Sequence, residues 1–445
     1  MTAHLRLAGL AGLLVLLGGC ADDDDCEEPL EICDIASADC REHVFVQTAC
    51  ARGHEGRTVP PVQSITRSEF EDFLRAGDEP TAEQQRLDAQ RATALRMLAL
   101  LPPGEASSDE AAIAAYAASV LAFYSRTDGS VTIVETNLGD VNPDVSVFVL
   151  SHEFVHAQQD VDIGLQEFFD EHATSADAST ATRSVTEGEA VHYSNLTMAR
   201  QPGAEVTEEI FEAYYAEQQQ DLRDAAAGAS STAYTDLSST FPYPFGGELV
   251  TDRWLAEGNA GVRAIYDDPP GSTAAILRTL AGDDPRDEVD VPALLADPLP
   301  EGWAAVADDT LGAWILYALA RRSGIDGTTA EAMAEDWAGD RILVVGGSTG
   351  ADVAVAWTIR FFSEASAQAL TGIEAVPPPE GVRSVRVQGR DVTMVLAVDA
   401  DALTQWEGTF QTAATAEASS FRQAPAGRLA PPLPPPQRPH PPHWP

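Results

Sequence analysis

The chain has 445 residues, and its 70 acidic and 27 basic residues give a formal net charge of −43 at neutral pH. This charge argues against nucleic acid and anionic lipid as partners, because both attract basic surfaces. Hydrophobic residues make up 44% of the sequence, which is enough for one large core or two closely packed lobes.

The N-terminus has the pattern of an export signal. Arg6 precedes an apolar run at 7–17 that is too short to span a bilayer as a mature helix. The sequence LGGC at 17–20 resembles the lipobox of bacterial lipoproteins, which implies that residues 1–19 are removed and that Cys20 is lipidated. An ordinary secretory signal cut nearby is the alternative. We expect a cell-envelope lipoprotein that contacts the membrane through its lipid only. Because Ala21 follows the cysteine, we expect it in the outer membrane or at the cell surface rather than in the inner membrane.

Residues 20–58 combine an acidic stretch with four further cysteines. The acidic stretch ADDDDCEEPLE at 21–31 predicts a solvated spacer. An even number of cysteines in an exported segment predicts two disulfides, with three possible pairings. A zinc site is the competing interpretation, but the segment has no CxxC pair. The four residues are Cys26, Cys33, Cys40 and Cys50.

Residues 59–200 are predicted to form the first lobe of the folded body. The stretches TRSEFEDFLRAG (66–77) and SSDEAAIAAYAASVLAFY (107–124) have capping residues and acidic first turns, which predict helices. SVTIVE (130–135) is a β-branched run and predicts a strand. Pro143 suits the first turn of a helix that continues through the sequence HEFVH.

The rest of the chain divides into a second lobe and a tail. Residues 201–420 predict helices followed by late β-hairpins. Residues 421–445 are rich in proline and have no core-forming pattern, so they predict a disordered tail.

The sequence HEFVH at 152–156 has the spacing of a metal site. At 3.6 residues per turn, His152 and His156 lie on one face of the helix, and both rings can reach one ion. Glu153 is rotated by about 100° and is placed to accept a proton from a water on that ion. The alternative is a solvated helical face with two unrelated histidines.

Two later motifs, TEGEAVHY at 186–193 and YPFG at 243–246, follow HEFVH in the chain. In this order they resemble the motifs of the gluzincin metallopeptidases. In aminopeptidase N-like members, a helix carrying E-G-x-A-x-x-Y supplies the third ligand, and a Tyr in Y-x-x-G stabilises the oxyanion. The resemblance implies Zn²⁺ as the cofactor and the following roles: metal ligands His152, His156 and Glu187, proton shuttle Glu153, and oxyanion donor Tyr243.

A second resemblance is to an uncharacterised group of bacterial proteins described as zinc metallopeptidases. Its hallmarks correspond to HEFVHAQQD (152–160), TEGEA (186–190), DPPGSTAAIL (268–277) and DWAGDR (336–341). We interpret the last of these as a structural turn before two strands. The interval between the second and third ligands is longer than in the aminopeptidases, which predicts an inserted loop at 161–175. The G-x-M-E-N element that holds a free amine is missing, so exopeptidase activity is not supported.

Other polar residues compete for these roles. Glu189 points about 200° away from Glu187 on the same helix, so only one of them can face an ion. Asp162 has the spacing of a metzincin ligand, but Gln159 stands where that fold needs a glycine. Asp160 is either an outer-sphere carboxylate or a helix-end acid. We expect packing roles for His172, His192 and Tyr193.

These observations predict an α+β, mostly α-helical, zincin-like metallopeptidase fold, with a small sheet beside the HExxH helix and a helical C-terminal lobe. SVTIVE is expected to be the edge strand that accepts an extended peptide. The predicted function is zinc-dependent hydrolysis of peptide bonds, as an endopeptidase acting on peptide or protein substrates. The alternatives are an inactive zincin-fold binding module and a metal-dependent hydrolase of other substrates.

Overall fold

The structure is a computed structural model that describes residues 24–54, 56, 58–76, 81–102, 109–138, 141–204, 206–228, 234–292, 299–415 and 429. The predicted signal peptide at 1–19 and the lipidation of Cys20 lie outside the described residues. The same is true of the predicted disordered tail at 421–445, with the exception of Leu429.

Helices and strands alternate unevenly along the chain. The helices α1 to α17 are, in order, Asp24–Glu27, Ala38–Arg52, Arg67–Arg75, Ala82–Met97, Asp109–Ser119, Glu135–Leu138, Pro143–Ile163, Leu165–His172, Ala176–Met198, Glu208–Ala227, Tyr234–Thr240, Gly247–Ile265, Thr273–Leu280, Gly312–Arg322, Gly327–Glu335, Glu364–Leu370 and Ala400–Thr415. A π-helical turn spans Pro242–Gly246 and a 3₁₀ turn spans Thr371–Ala375. The strands β1 to β8 are Val62–Ile65, Ala122–Ser125, Ser130–Val134, Ala304–Asp309, Trp337–Gly346, Val353–Phe361, Val382–Gln388 and Asp391–Ala397.

The described part of the chain is α+β and mostly helical, which confirms the predicted class. A three-stranded sheet has the order β1-β3-β2, in which β1 and β3 are parallel and β2 is antiparallel to β3. An antiparallel sheet with the order β4-β5-β6-β8-β7 lies in the second half of the chain. The predicted late hairpins are therefore parts of this larger sheet.

The strand predicted to lie at the edge of the small sheet lies in its centre. β3 pairs with β1 on one side and β2 on the other, and all five of its residues are buried. This burial includes the polar Ser130 and Thr132 as well as the three apolar residues. The edge beside α7 is β2, whose residues were predicted to end a helix. The helix α5 ends at Ser119, before these residues. The sequence therefore named the wrong strand, β3 instead of β2, as the edge of the sheet.

The N-terminal segment contains two disulfides, which confirms that prediction. The bonds join Cys26 to Cys50 and Cys33 to Cys40, so both tie the start of the segment to α2. α2 itself packs against α7, where Phe45 and Phe154 meet edge to face at 5.3 Å. The solvated spacer predicted at 21–31 was wrong for its described part, because α1 begins at Asp24 and Leu30 is buried.

The helices α7, α8 and α9 form the frame of the candidate site. Gly164, with φ of 67°, ends α7 and begins α8. The carboxylate of Asp160 accepts a hydrogen bond from the N–H of Leu165 in this connection. The segment predicted to be an inserted loop is therefore mostly the helix α8, and α9 starts after Ser175, whose side chain caps it.

Two glycines bring the π-helical turn against α9. A Cβ atom at Gly188 would lie 2.3 Å from the backbone of Gly246, and a Cβ atom at Gly246 would lie 2.1 Å from the carbonyl oxygen of Ser184. No larger side chain fits at either position without moving a backbone. The glycines of the two sequence motifs are thus in direct contact, and this contact sets Tyr243 beside Glu187.

From Trp337 onward the stretch DWAGDR is part of β5, not a turn before it, and Asp336 caps the end of α15. Asp340 is buried, and its carboxylate accepts four hydrogen bonds, from the backbone of Leu311 and Gly312 and from the indoles of Trp337 and Trp357. Leu429 packs into the largest hydrophobic cluster of the molecule. No helix within the described residues is both long and apolar enough to cross a membrane.

Candidate metal centre

His152, His156 and Glu187 converge on one point between α7 and α9. The Nε2 atoms of the two histidines lie 3.1 Å apart. Oε2 of Glu187 lies 3.2 Å from Nε2 of His152 and 3.4 Å from Nε2 of His156. The three side chains are buried, and among the described residues they form a group that could hold a metal ion.

The spacing of these three atoms suits a tetrahedral ion. Ligand bonds of about 2.0–2.1 Å to zinc correspond to a distance of about 3.3 Å between neighbouring ligands in a tetrahedron. The three observed distances lie within a few tenths of an ångström of that value. Three protein ligands leave a fourth position open, as catalytic zinc sites do. The geometry does not by itself distinguish zinc from other ions of similar size.

The side chains of the site attract one another electrostatically. Burial disfavours a charged Glu187, but the histidines and Arg183 outweigh this effect and hold the pKa of the carboxylate well below its usual range. Burial likewise opposes the charged form of His156, but Glu187 raises its pKa to about 9. The carboxylate and the imidazolium therefore form an ion pair at the position that a cation would occupy.

Gln159 orients His156 and was not identified from the sequence as part of the site. Its Oε1 accepts a hydrogen bond from Nδ1 of His156 at 2.8 Å. Its Nε2 donates to the carbonyl oxygen of Thr186 and to the carboxylate of Glu189. A hydrogen bond to the second ring nitrogen fixes which nitrogen of a histidine faces a metal. In the sequence, only the spacing of three residues between His156 and Gln159 indicated that the two side chains could meet.

The competing acids have structural partners instead. Glu189 accepts from Arg52 at 2.7 Å and from the hydroxyl of Tyr266. Asp162 pairs with Arg52 and with His54. Neither acid belongs to the group of converging ligand atoms.

Asp160 is a helix-end acid that also joins α7 to β2. Its Oδ2 accepts from the hydroxyl of Tyr124 at 2.8 Å, and its Oδ1 accepts from the backbone of Leu165. Gln159, and not Asp160, contacts one of the candidate ligands, His156.

Glu153 lies beside the three ligand side chains. The backbone N–H of Tyr124 on β2 bonds to its carboxylate, while Oε2 is buried and has no hydrogen-bond partner among the described residues. Burial raises the pKa of Glu153, and the two histidines oppose that rise. One oxygen of this carboxylate is therefore fixed, and the other is available.

Tyr243 completes the surroundings of the site. Its ring lies over that of His152, with 6.2 Å between centroids. Its hydroxyl is buried near the carboxylate of Glu187 but makes no well-formed hydrogen bond to any described residue. Burial, together with the charge of Glu187, raises the pKa of Tyr243 well above its usual value. The hydroxyl thus stays protonated and can donate to an incoming oxygen.

The residues expected to pack do so. His192 is buried, with Nδ1 2.9 Å from the hydroxyl of Thr251. The hydroxyl of Tyr193 donates to Asn259 at 3.0 Å. His172 is half-buried against the ring of Phe168.

Comparisons with protein-family models, with curated protein sequences and with solved structures give no match to this chain.

Proposed function

We propose that the protein is a zinc-dependent peptide-bond hydrolase of the zincin kind, which acts as an endopeptidase on peptide or protein substrates. The main support is the convergence of His152, His156 and Glu187 at tetrahedral spacing. Two imidazoles and one carboxylate are a donor set of catalytic zinc sites. An available oxygen of Glu153 and an available hydroxyl of Tyr243 lie beside this group.

Each residue would have a separate role. Bound zinc would polarise the substrate carbonyl and lower the pKa of the attacking water. Glu153 would accept a proton from that water through Oε2 and deliver it to the leaving amine. Tyr243 would donate a hydrogen bond to the carbonyl oxygen as negative charge develops there.

The edge of β2 suits an extended substrate better than β3 does. The carbonyl oxygen of Leu121 accepts from the N–H of Val134 on β3. Because the pattern alternates along an antiparallel strand, Ala122 and Tyr124 turn their backbone groups away from β3. Tyr124 uses its N–H for Glu153. A peptide that paired with this edge would pass next to Glu153.

Metal analysis and a cleavage assay test the proposal together. The mature chain carrying Cys20→Ser should hold about one zinc ion. His156→Ala and Glu187→Ala should lose the ion, and His172→Ala, which changes a histidine outside the site, should keep it. Glu153→Gln should keep the ion but cleave a mixed peptide library about 10²- to 10⁴-fold more slowly.

The outcomes separate the candidate functions. Full activity in Glu153→Gln would overturn the mechanism. A protein that binds zinc but cleaves no peptide would instead be the binding module or the hydrolase of other substrates.

The two disulfides suggest a secreted or extracellular protein. We propose further that Cys20 carries a lipid that anchors the mature chain to the cell envelope, in the outer membrane or at the cell surface. Cys20→Ser should move the protein from the membrane fraction to the soluble fraction. A variant that stays with the membrane would contradict the anchor.

A further inference from the structure

Arg183 is buried against the candidate metal centre, one helical turn before Glu187 on α9. Its Nη2 donates to Oε1 of Glu187 over 3.3 Å, and only 7% of the side chain is exposed. Its Nη1 is also buried and has no acceptor in the part of the chain that the structure describes. A buried donor without an acceptor is costly, particularly on a charged group. The guanidinium therefore has an unused donor at the metal centre.

Once a metal ion is bound, the net charge around the centre is positive and favours an anion. Oε2 of Glu187 faces the two histidines, so an ion and Arg183 would share this single carboxylate. A divalent ion and Arg183 carry three positive charges, whereas Glu187 and Glu153 carry two negative charges. Uncompensated charge in a buried site is strongly unfavourable. One further negative charge would balance it.

Arg183 and Tyr243 are both placed around the carboxylate of Glu187. Nη2 of Arg183 donates to Oε1 of Glu187. The ring of Tyr243 lies over that of His152, and Nε2 of His152 is 3.2 Å from Oε2 of Glu187. A substrate that reached Tyr243 would also come within reach of Arg183.

We propose that Arg183 binds a carboxylate of the substrate, so that the site selects peptides with a carboxylate close to the scissile bond. The carboxylate would be either a free C-terminus or an acidic side chain. A guanidinium matches a carboxylate in charge and in planar geometry. The inference rests on the metal-dependent function proposed above, and it leaves Tyr243 as the donor to the carbonyl oxygen.

Peptide binding in a background that cannot turn over tests this inference. Zinc-loaded Glu153→Gln protein is titrated calorimetrically with pools of N-acetylated hexapeptides. The pools have a free or an amidated C-terminus, with or without glutamate at the central positions. One carboxylate-bearing pool should bind about tenfold or more tightly than its neutral counterpart. Arg183→Gln should abolish the difference, and Arg253→Gln, which changes an exposed arginine on α12, should preserve it.

A second substitution guards against misfolding. Arg183→Lys keeps the positive charge but loses the two parallel N–H donors of the guanidinium. We expect it to retain part of the preference for carboxylate-bearing peptides at an unchanged melting temperature. Equal binding of all pools, or a preference that survives Arg183→Gln, would overturn the inference. The two proposals can also fail separately. If the carboxylate preference depends on Arg183 but the wild-type protein with zinc cleaves no peptide, this inference stands and the proposed hydrolase is wrong.

Discussion

Gln158 and Gln159 are sequence neighbours with opposite surroundings. Both side chains are buried on α7. Gln159 connects His156 to Glu189 and to the backbone of Thr186. Neither polar atom of the Gln158 side chain has a hydrogen-bond partner among the described residues. The two residues therefore form a matched pair for testing how much the hydrogen bond between Gln159 and His156 contributes to metal binding.

We expect Gln159→Leu to weaken zinc binding by about 10- to 100-fold, because His156 would lose the acceptor that fixes its ring. Gln158→Leu has the same change in size and polarity, and it removes two buried groups without partners. It should leave zinc affinity unchanged and should not lower stability. Competition titration with a chelator of known affinity measures both values. Equal affinities in the two variants would show that the Gln159 hydrogen bond does not support the site.

The convergence of His152, His156 and Glu187 could be predicted at the level of single residues because their pattern is local. His152 and His156 need only one helix, and Glu187 belongs to a motif on a second helix. Gln159 and Arg183 could not be assigned in the same way. Their roles depend on how α7 and α9 are packed together, and that packing is not visible in the spacing of either helix.

At the scale of elements, the contact between Gly188 and Gly246 joins α9 to the turn that carries Tyr243. The close approach requires that neither residue has a side chain. We expect Gly188→Ala to displace the turn and to destabilise the protein by about 3 kcal/mol, near the upper end of overpacking costs, because the obstacle is backbone. Gly271→Ala is the control, because a Cβ atom there meets no described atom within 4 Å. Urea unfolding of both variants checks the difference.

A crystal structure of Gly188→Ala would show the displaced Tyr243 directly. If the variant unfolds at the wild-type urea concentration, the two glycines do not set the position of the turn.

The elements differ in how far the sequence predicts them. The helix predicted to carry TEGEAVHY corresponds to α9 at Ala176–Met198, because a capping serine and a continuous helical pattern are local signals. The stretch LAFY was assigned to a helix but its last residues form β2, since short apolar runs suit either state. Whether SVTIVE lies at an edge or in the centre depends on its partners, which are distant in the chain.

At the scale of the whole molecule, the disulfide between Cys26 and Cys50 closes the longer of two loops. It joins residues 24 apart, compared with 7 for Cys33 and Cys40. Loop-closure entropy predicts a contribution of about 3.5 kcal/mol for the longer loop and about 2.5 kcal/mol for the shorter. Arg52, which pairs with Glu189, lies two residues beyond Cys50. The longer loop therefore restrains the segment that supports the metal centre.

We expect the double replacement of Cys26 and Cys50 by serine to lower the free energy of unfolding more than the replacement of Cys33 and Cys40. Zinc affinity should fall in the first variant and stay constant in the second, because only the first loosens Arg52. Denaturant unfolding and metal titration measure the two effects. A larger loss of stability in the second variant would contradict the loop-length argument.

The burial of the three candidate ligands has a consequence for rates as well as for equilibria. His152, His156 and Glu187 are 1%, 7% and 5% exposed, so little of their surface meets solvent among the described residues. We expect a bound ion to leave when α7 and α9 separate locally, and the opening would then limit the rate. Removal of zinc by a strong chelator should then follow first-order kinetics whose rate constant does not change with chelator concentration. The same opening would have to precede the entry of a substrate, so the rate of metal release offers a measure of how often this site is accessible at all.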